Sequence, residues 1–509
     1  MFETRQSGIL AHPTSFPGQY GIGDLGQGAY SFIDFLKASN QKLWQVLPLG
    51  PTGYGDSPYQ SFSSFAGNHY MISPEILKEE GWLTQIDLAD PGFDPRVIDY
   101  GPVIEYKMTL LKKAYTTFKT QASTADKASY NKFCKSHKAW LADYALFMAL
   151  KDHHGGKPWT QWPKALADRE PKALFDIKAK LADEINFTMF LQYEFFRQWG
   201  KLRAYAKKAD IKIIGDIPIF VAMDSADIWA APELFALEKD GTPSAVAGVP
   251  PDYFSETGQL WGNPLYNWEA HKATDYQWWC QRVSAVLEFV DIIRIDHFRG
   301  FESYWAVPSN AKTAISGKWN KGPGKALFVT MKKKLGQLPI IAEDLGIITP
   351  AVDKLRKGLS LPGMKVLHFA FNPEEKSAYL PHMYEDNLTI VYTGTHDNDT
   401  TAGWYQSATE LEKDYLRRYL NVSGDNISWD MIRLALSTSA IYAIVPIQDV
   451  MSLDTKDRMN LPGCSMGWWR FRYTEDMLKD EYASGLKYLS ELFHRNAGKT
   501  EASEPKSTR

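Results

Sequence analysis

"IIRIDHFRG", residues 292–300, opens with three isoleucines in four positions and ends among Arg, Asp and His. Side chains alternate along a strand, so Arg294 and Asp296 share one side while Ile293 and Ile295 take the other. An apolar run that ends this way reads as a buried strand arriving at a cleft. Seven more runs have the same character: "GILAH" (8–12), "LWQVLPL" (43–49), "IKIIGDIPIF" (211–220), "PIIAEDLG" (339–346), "MKVLHFAF" (364–371), "LTIVYTGTHD" (388–397) and "AIYAIVPIQD" (440–449). Continuous apolar runs suit parallel strands covered on both faces, with helices as crossovers. "GAYSFIDFLKAS" (28–39) is such a helix, with Tyr30, Ile33, Phe35 and Leu36 on one face. Eight strand candidates separated by helical segments predict an α/β fold, a (β/α)8 TIM barrel with inserted, largely helical subdomains. An open doubly wound sheet is the alternative, because closure leaves no mark in a sequence.

The spacing of the strands locates the insertions. Far more chain separates the second and third candidates than one crossover needs. Segment 74–180 is Lys-rich with helical patterning ("MTLLKKAYTTFKTQ", "AWLADYALFMALKD") and reads as a helical subdomain. Segment 221–275, rich in Pro, Gly and aromatics, reads as a second insertion near the cleft. Residues 1–495 form one catalytic barrel in this reading. The tail 496–509, "NAGKTEASEPKSTR", lacks apolar content and is expected to be disordered.

Composition narrows the function. There are 57 basic and 60 acidic residues, a net charge of −3, so nothing resembles a nucleic-acid footprint or an anionic-membrane surface. The aromatic content, 17 Trp, 26 Tyr and 26 Phe, fits either a large packed core or a cleft that stacks sugar rings. Cys134, Cys280 and Cys464 are far apart, which argues against a disulfide framework or zinc knuckle. The N-terminus has no signal-peptide pattern and no apolar run reaches membrane-spanning length. A cytoplasmic protein is expected.

Four strand candidates end in an acid: Asp216, Asp296, Glu343 and Asp397. Barrel active sites lie at the C-terminal ends of the strands, so these acids would face one mouth. Like charges gathered there cost stability unless they are used. Arg294 beside Asp296 favours an ionised carboxylate, as a nucleophile requires. Glu343 follows "IIA" with no adjacent cation, and an apolar setting raises its pKa toward that of a general acid. Asp344 points the other way, toward a cap or supporting contact. In "HDND", Asp399 competes with Asp397 for the third role. Two carboxylates with a donor-rich rim are the equipment for glycosidic bond cleavage. The sequence contains no GxSxG, GxxxxGK[ST] or HExxH motif. "DHHGG" (152–156) reads as a helix end rather than a metal site.

The motifs then carry a specific resemblance. "HPTSFPGQYGIGDLG" (12–26), "GPTGYGDSPYQSFSSFAGN" (50–68), "GDIPIFVAMDSADIW" (215–229), "GVPPDYFSETGQLWGNPLYNW" (248–268), "RIDHFRG", "IIAEDLG", "YTGTHDNDT" (392–400) and "RMNLPG" (458–463) occur in order along nearly the whole chain. Together they resemble the amylomaltase or disproportionating-enzyme family, the 4-alpha-glucanotransferases of glycoside hydrolase family 77. The resemblance implies a barrel with inserted subdomains that transfers α-1,4-glucan segments from maltooligosaccharide, starch or glycogen donors to glucose or glucan acceptors. It implies Asp296 as nucleophile, Glu343 as acid/base and Asp397 as transition-state stabiliser. It further implies Arg294 as orienting the nucleophile, and His297, His396, Asp216, Tyr59, Trp261 and Asn460 as substrate contacts. Tyr253 and Phe254, with Trp261, offer stacking faces in a loop that Gly258 and Gly262 leave free to move. One departure stands out: "GCSMGWWRFR" (463–472) has Trp468 and Phe471 where the family usually has Asn and Trp. No cofactor is implied, and no DxDxDG calcium loop occurs.

Overall fold

Each of the eight apolar runs becomes one parallel strand in a computed structural model that describes residues 2–251, 255–374 and 377–496. The barrel strands are β1 (Gln6–Leu10), β2 (Leu43–Gln45), β3 (Lys212–Ile217), β4 (Ile292–Ile295), β5 (Ile340–Ala342), β6 (Gly363–Val366), β7 (Thr389–Tyr392) and β8 (Tyr442–Pro446). Their spatial order is β6-β7-β8-β1-β2-β3-β4-β5, all parallel. The two ends of that order meet where Ala342 N–H donates to Pro362 O (2.9 Å). Asp344 stitches the same seam: its Oδ1 accepts from Met364 N–H at 2.7 Å and its Oδ2 pairs with Arg356 Nε at 3.0 Å. The chain is therefore a (β/α)8 barrel rather than an open sheet.

Local chemistry explains these elements. The strands β4, β5, β7 and β8 are buried at every position, which is why their sequences do not alternate. Gly8 lies opposite Leu43, and a Cβ there would sit 2.2 Å from Leu43 O, so only glycine lets β1 approach β2. The helix Gln27–Ala38 buries Ala29, Phe32, Ile33, Phe35 and Leu36 at helical spacing. Tyr30 sits at the edge of that face, half-buried, against Tyr205 (ring centroids 5.1 Å apart).

Between β2 and β3 the chain forms helices Pro74–Glu79, Tyr100–Gln121, Thr124–Ser136, Lys138–His153 and Pro171–Lys180 before the long helix Ala182–Lys208 returns to the barrel. Much of the aromatic content is spent on packing: Trp44, Trp199, Trp229 and Trp279 are all sealed from solvent. The region 221–275, expected to be an aromatic-rich insertion near the cleft, contributes two strands to a second sheet. Its strands Ala245–Val249 and Gln259–Pro264 join Ser303–Pro308 and Lys318–Lys321 in an antiparallel sheet. Half of that sheet comes from chain that follows β4. Its last strand, "KWNK", is too short and polar to announce itself in the sequence. The sheet packs on the barrel through Tyr304 and Phe220 (6.4 Å).

Candidate active site

The polar end of "IIRIDHFRG" lies at the C-terminal mouth of the barrel. Asp296 follows β4 directly, its N–H still bonded to Ile217 O (2.9 Å). The chain then turns sharply, because His297 adopts φ 52°, ψ 49°, a left-handed conformation uncommon for a residue with a side chain. Backbone strain of this kind gathers at functional sites. Glu343, one residue past β5, holds the turn in place. Its Oε2 accepts from His297 N–H at 2.6 Å, its Oε1 from Leu345 N–H at 2.7 Å, and its carbonyl from Phe298 N–H at 3.0 Å. Asp296 and Glu343 are thus neighbours joined through one peptide unit.

Arg294 serves two acids. Cross-strand register sets Asp216 of β3 opposite Arg294 of β4. Nη1 of Arg294 lies 2.5 Å from Asp216 Oδ2 and 3.0 Å from Asp296 Oδ1. Tyr59 hydroxyl donates to the same Asp216 oxygen at 2.9 Å. Burial, together with the carboxylates of Glu343, Asp216 and Asp397, drives Asp296 well above the ordinary carboxylate range, against the pull of Arg294. The simple expectation that Arg294 settles the charge of Asp296 is therefore incomplete. Glu343 is also raised by burial, with Arg294 and its two backbone donors opposing. Burial thus favours the protonated form at both carboxyls. Arg294 contacts Asp296 directly, while Glu343 is met by two backbone N–H donors and, among the described residues, no cation.

Asp397 completes the set from the loop after β7. Asn460 Nδ2 donates to its Oδ1 at 2.6 Å, and Arg458 Nη2 to its carbonyl at 2.5 Å. Its side chain is 43% exposed, free to meet a ligand. Asp399 is instead consumed by structure, accepting from Thr400 N–H (2.7 Å) and Thr455 hydroxyl (3.0 Å). His396 is buried, with Nε2 3.4 Å from Asp397 Oδ2, and burial lowers its pKa. It stacks on Tyr59 (5.0 Å, 16°) and packs against Trp469 (5.9 Å). His297, pushed by burial to a pKa of about 3, meets Trp261 edge-on at 4.8 Å.

The structure therefore gathers Asp216, Arg294, Asp296, His297, Glu343, Tyr59, Trp261, His396, Asp397 and Asn460 around one mouth. Tyr253 and Phe254 lie outside the described residues. Sequence reasoning passed over Trp469 and Arg458. Trp469 packs on both Tyr59 and His396, and Arg458 clamps Asp397 and, through Nε, Asn460 O (2.6 Å). Arg458 opens the quoted "RMNLPG", so its signal was present. Among the described residues no group of three or more His, Cys, Asp or Glu is arranged to hold a metal ion. Two adjacent carboxyls, one against a cation and one without, can supply a nucleophile and a proton donor.

Known proteins resemble this chain in sequence and fold. The family model for 4-alpha-glucanotransferases of glycoside hydrolase family 77 matches residues 11–478. A 4-alpha-glucanotransferase of Synechocystis is 51% identical over 500 residues, covering 97% of this chain and 99% of its own. One from Thermus thermophilus is 49% identical over 498 residues, covering 96% and 99%. Among solved structures, the amylomaltase of Streptococcus agalactiae in complex with acarbose superposes with a TM-score of 0.94 at 41% identity, over 96% of this chain and 99% of that one. The match runs almost from end to end at about half identity, and the chain belongs to the 4-alpha-glucanotransferase family, as an enzyme of that type.

Proposed function

We propose that the enzyme transfers segments of α-1,4-glucans to the 4-hydroxyl of glucose or another α-glucan by a retaining double displacement. Asp296 attacks the anomeric carbon of the donor while Glu343 gives its proton to the departing glycosidic oxygen. The C1–O bond breaks and a glucosyl ester forms on Asp296. The acceptor's 4-hydroxyl then attacks the same carbon, returns its proton to Glu343 and releases the ester. Arg294 orients Asp296. Asp397 accepts hydrogen bonds from the sugar that strengthen in the transition state. Tyr59, Asp216, His297, His396 and Asn460 line the sugar at the cleavage point, and Trp261, with Tyr253 and Phe254, stacks against the chain and helps to exclude water. Exclusion of water is what separates transfer from hydrolysis.

The observation that carries this reading is the tie between the two acids. Glu343 bonds to the N–H of the residue that follows Asp296, while Arg294 contacts only the latter of the pair. That asymmetry supports Asp296 as the charged nucleophile and leaves Glu343, which no cation among the described residues contacts, as the proton donor. All three cysteines are free, which supports a reducing, cytoplasmic setting. The deciding experiment is incubation with maltotriose. We expect glucose together with a ladder of maltooligosaccharides longer than the substrate. Reducing ends accumulating without longer chains would overturn transfer in favour of hydrolysis.

A further inference from the structure

The motif "HPTSFPG" opens the family resemblance, yet nothing in the reaction above uses it. His12 follows β1 and is 5% exposed, and Ser15 is sealed from solvent. Both line a small cavity beside the active site. Its opposite wall is His396, with Thr395, Asn398 and Arg458 around it. Three buried polar atoms belong to residues that line it and have no protein partner: His12 Nδ1, Ser15 Oγ and His396 Nδ1. Buried polar atoms without a partner are uncommon and costly, and three that share one cavity point to a site for ordered water. The two imidazoles are close enough for charge on one to oppose charge on the other. Burial lowers both, His12 to about 3.

Two neutral imidazoles leave one question open, which nitrogen of His396 carries its proton. Nε2 lies beside Asp397, so a proton there can serve Asp397 or the sugar. Nδ1 must then accept, and it is a buried atom without a protein partner on a residue that lines the cavity. The partner of one ring nitrogen fixes the tautomer at the other.

We propose that His12 is a positioning residue for the transfer reaction, holding His396 in its Nε2–H form through solvent in the cavity they share with Ser15. The inference rests on the reading of Asp397 and His396 as the groups that meet the sugar. His12 itself does not touch substrate.

Nitrogen-15 spectra of the full-length enzyme labelled at histidine report the tautomer directly, with the His396 signal identified by its loss in His396→Gln. We expect a single Nε2–H form between pH 6 and pH 8. A mixed or Nδ1–H His396 in the parent enzyme overturns the proposal, whatever any variant does. In His12→Phe, which keeps a ring and removes both nitrogens, we expect a mixed tautomer. Its kcat on maltotriose should fall roughly tenfold or more with KM within about twofold. His12→Gln, which keeps a donor and an acceptor, should recover most of the loss. An Nε2–H form with near-parental kcat in His12→Phe also overturns the proposal. Asp397→Asn separates the two failures. If it transfers normally, the underlying site reading falls. If it is inactive while His12→Phe is normal, only the role of His12 falls.

Discussion

Asp216 and Arg294 face one another in register across adjacent parallel strands, joined by a 2.5 Å ion pair whose side chains are 0% and 3% exposed. A sealed pair of this kind is weak support for stability, since desolvation consumes most of the attraction. Its value here is geometric, because the same guanidinium nitrogen reaches Asp296.

Arg294→Met should therefore damage the fold as well as the chemistry. It strands the buried Asp216 carboxylate, at a cost of about 3–5 kcal/mol. Asp216→Leu added to Arg294→Met should restore most of the lost urea resistance without restoring transfer. A double variant as unstable as Arg294→Met alone would show that the pair is not what the single change broke.

The acids themselves are tested by Asp296→Asn and Glu343→Gln. Each should fold and lose transfer by on the order of 10⁴-fold or more, measured as glucose release from maltotriose. Turnover within tenfold of the parent in either variant would refute its assigned role.

Asp296→Asn should also gain stability, in a pH-dependent way. Burial raises both carboxyls above their values in the unfolded chain. A raised acid supports the fold fully below its unfolded pKa, and that support is lost as pH rises through its folded pKa. Neutral pH thus leaves the parent carrying a buried charge on Asp296 that Asp296→Asn lacks. Thermal scans should put Asp296→Asn higher in Tm by on the order of 1–2 °C at pH 7–8, with the gain shrinking toward pH 4. A gain that grows with acidity would contradict the sign.

Gly8→Ala tests the barrel rather than the site. The new methyl would stand 2.2 Å from Leu43 O, a backbone atom that cannot swing aside. We expect loss of soluble protein or at least about 2 kcal/mol of stability. A parental Tm would mean that β1 and β2 can part without cost.

Activity should be unchanged after incubation with EDTA and gel filtration, since no step proposed above uses a metal. A loss restored by calcium would reveal an ion that the sequence motifs do not announce.

The barrel's strands were legible in the sequence because each is a continuous apolar run, whereas closure was not, since a doubly wound sheet buries such runs between helices equally well. The convergence of Asp216, Asp296, Glu343 and Asp397 followed from where those runs stop. Less was legible wherever a role depends on distant partners. "HDND" does not say that Asp399 is taken by Thr400 and Thr455 while Asp397 stays open. Trp469 reads as one more aromatic until Tyr59 and His396 are packed against it. The antiparallel sheet escaped notice because its strands are short and lie on both sides of β4. At the departure Phe471, the side chain is 5% exposed and the backbone bridges to Val97 of the helical insertion.

The seam between β5 and β6 has one more implication. A closed barrel is often pictured as a ring without a beginning, but this one has a clasp, fastened by Ala342 N–H on Pro362 O and by Asp344 on Met364 N–H. Gly363 is the eyelet, since a Cβ there would meet the Asp344 carboxylate at 2.4 Å. Glu343 sits between the two fastenings. Should the ring loosen locally, it will loosen there first, and the proton donor will drift from Asp296 while the other seven strands hold. Inactivation by heat would then precede unfolding, and the enzyme's working limit would be set by the latch of its barrel rather than by the size of its core.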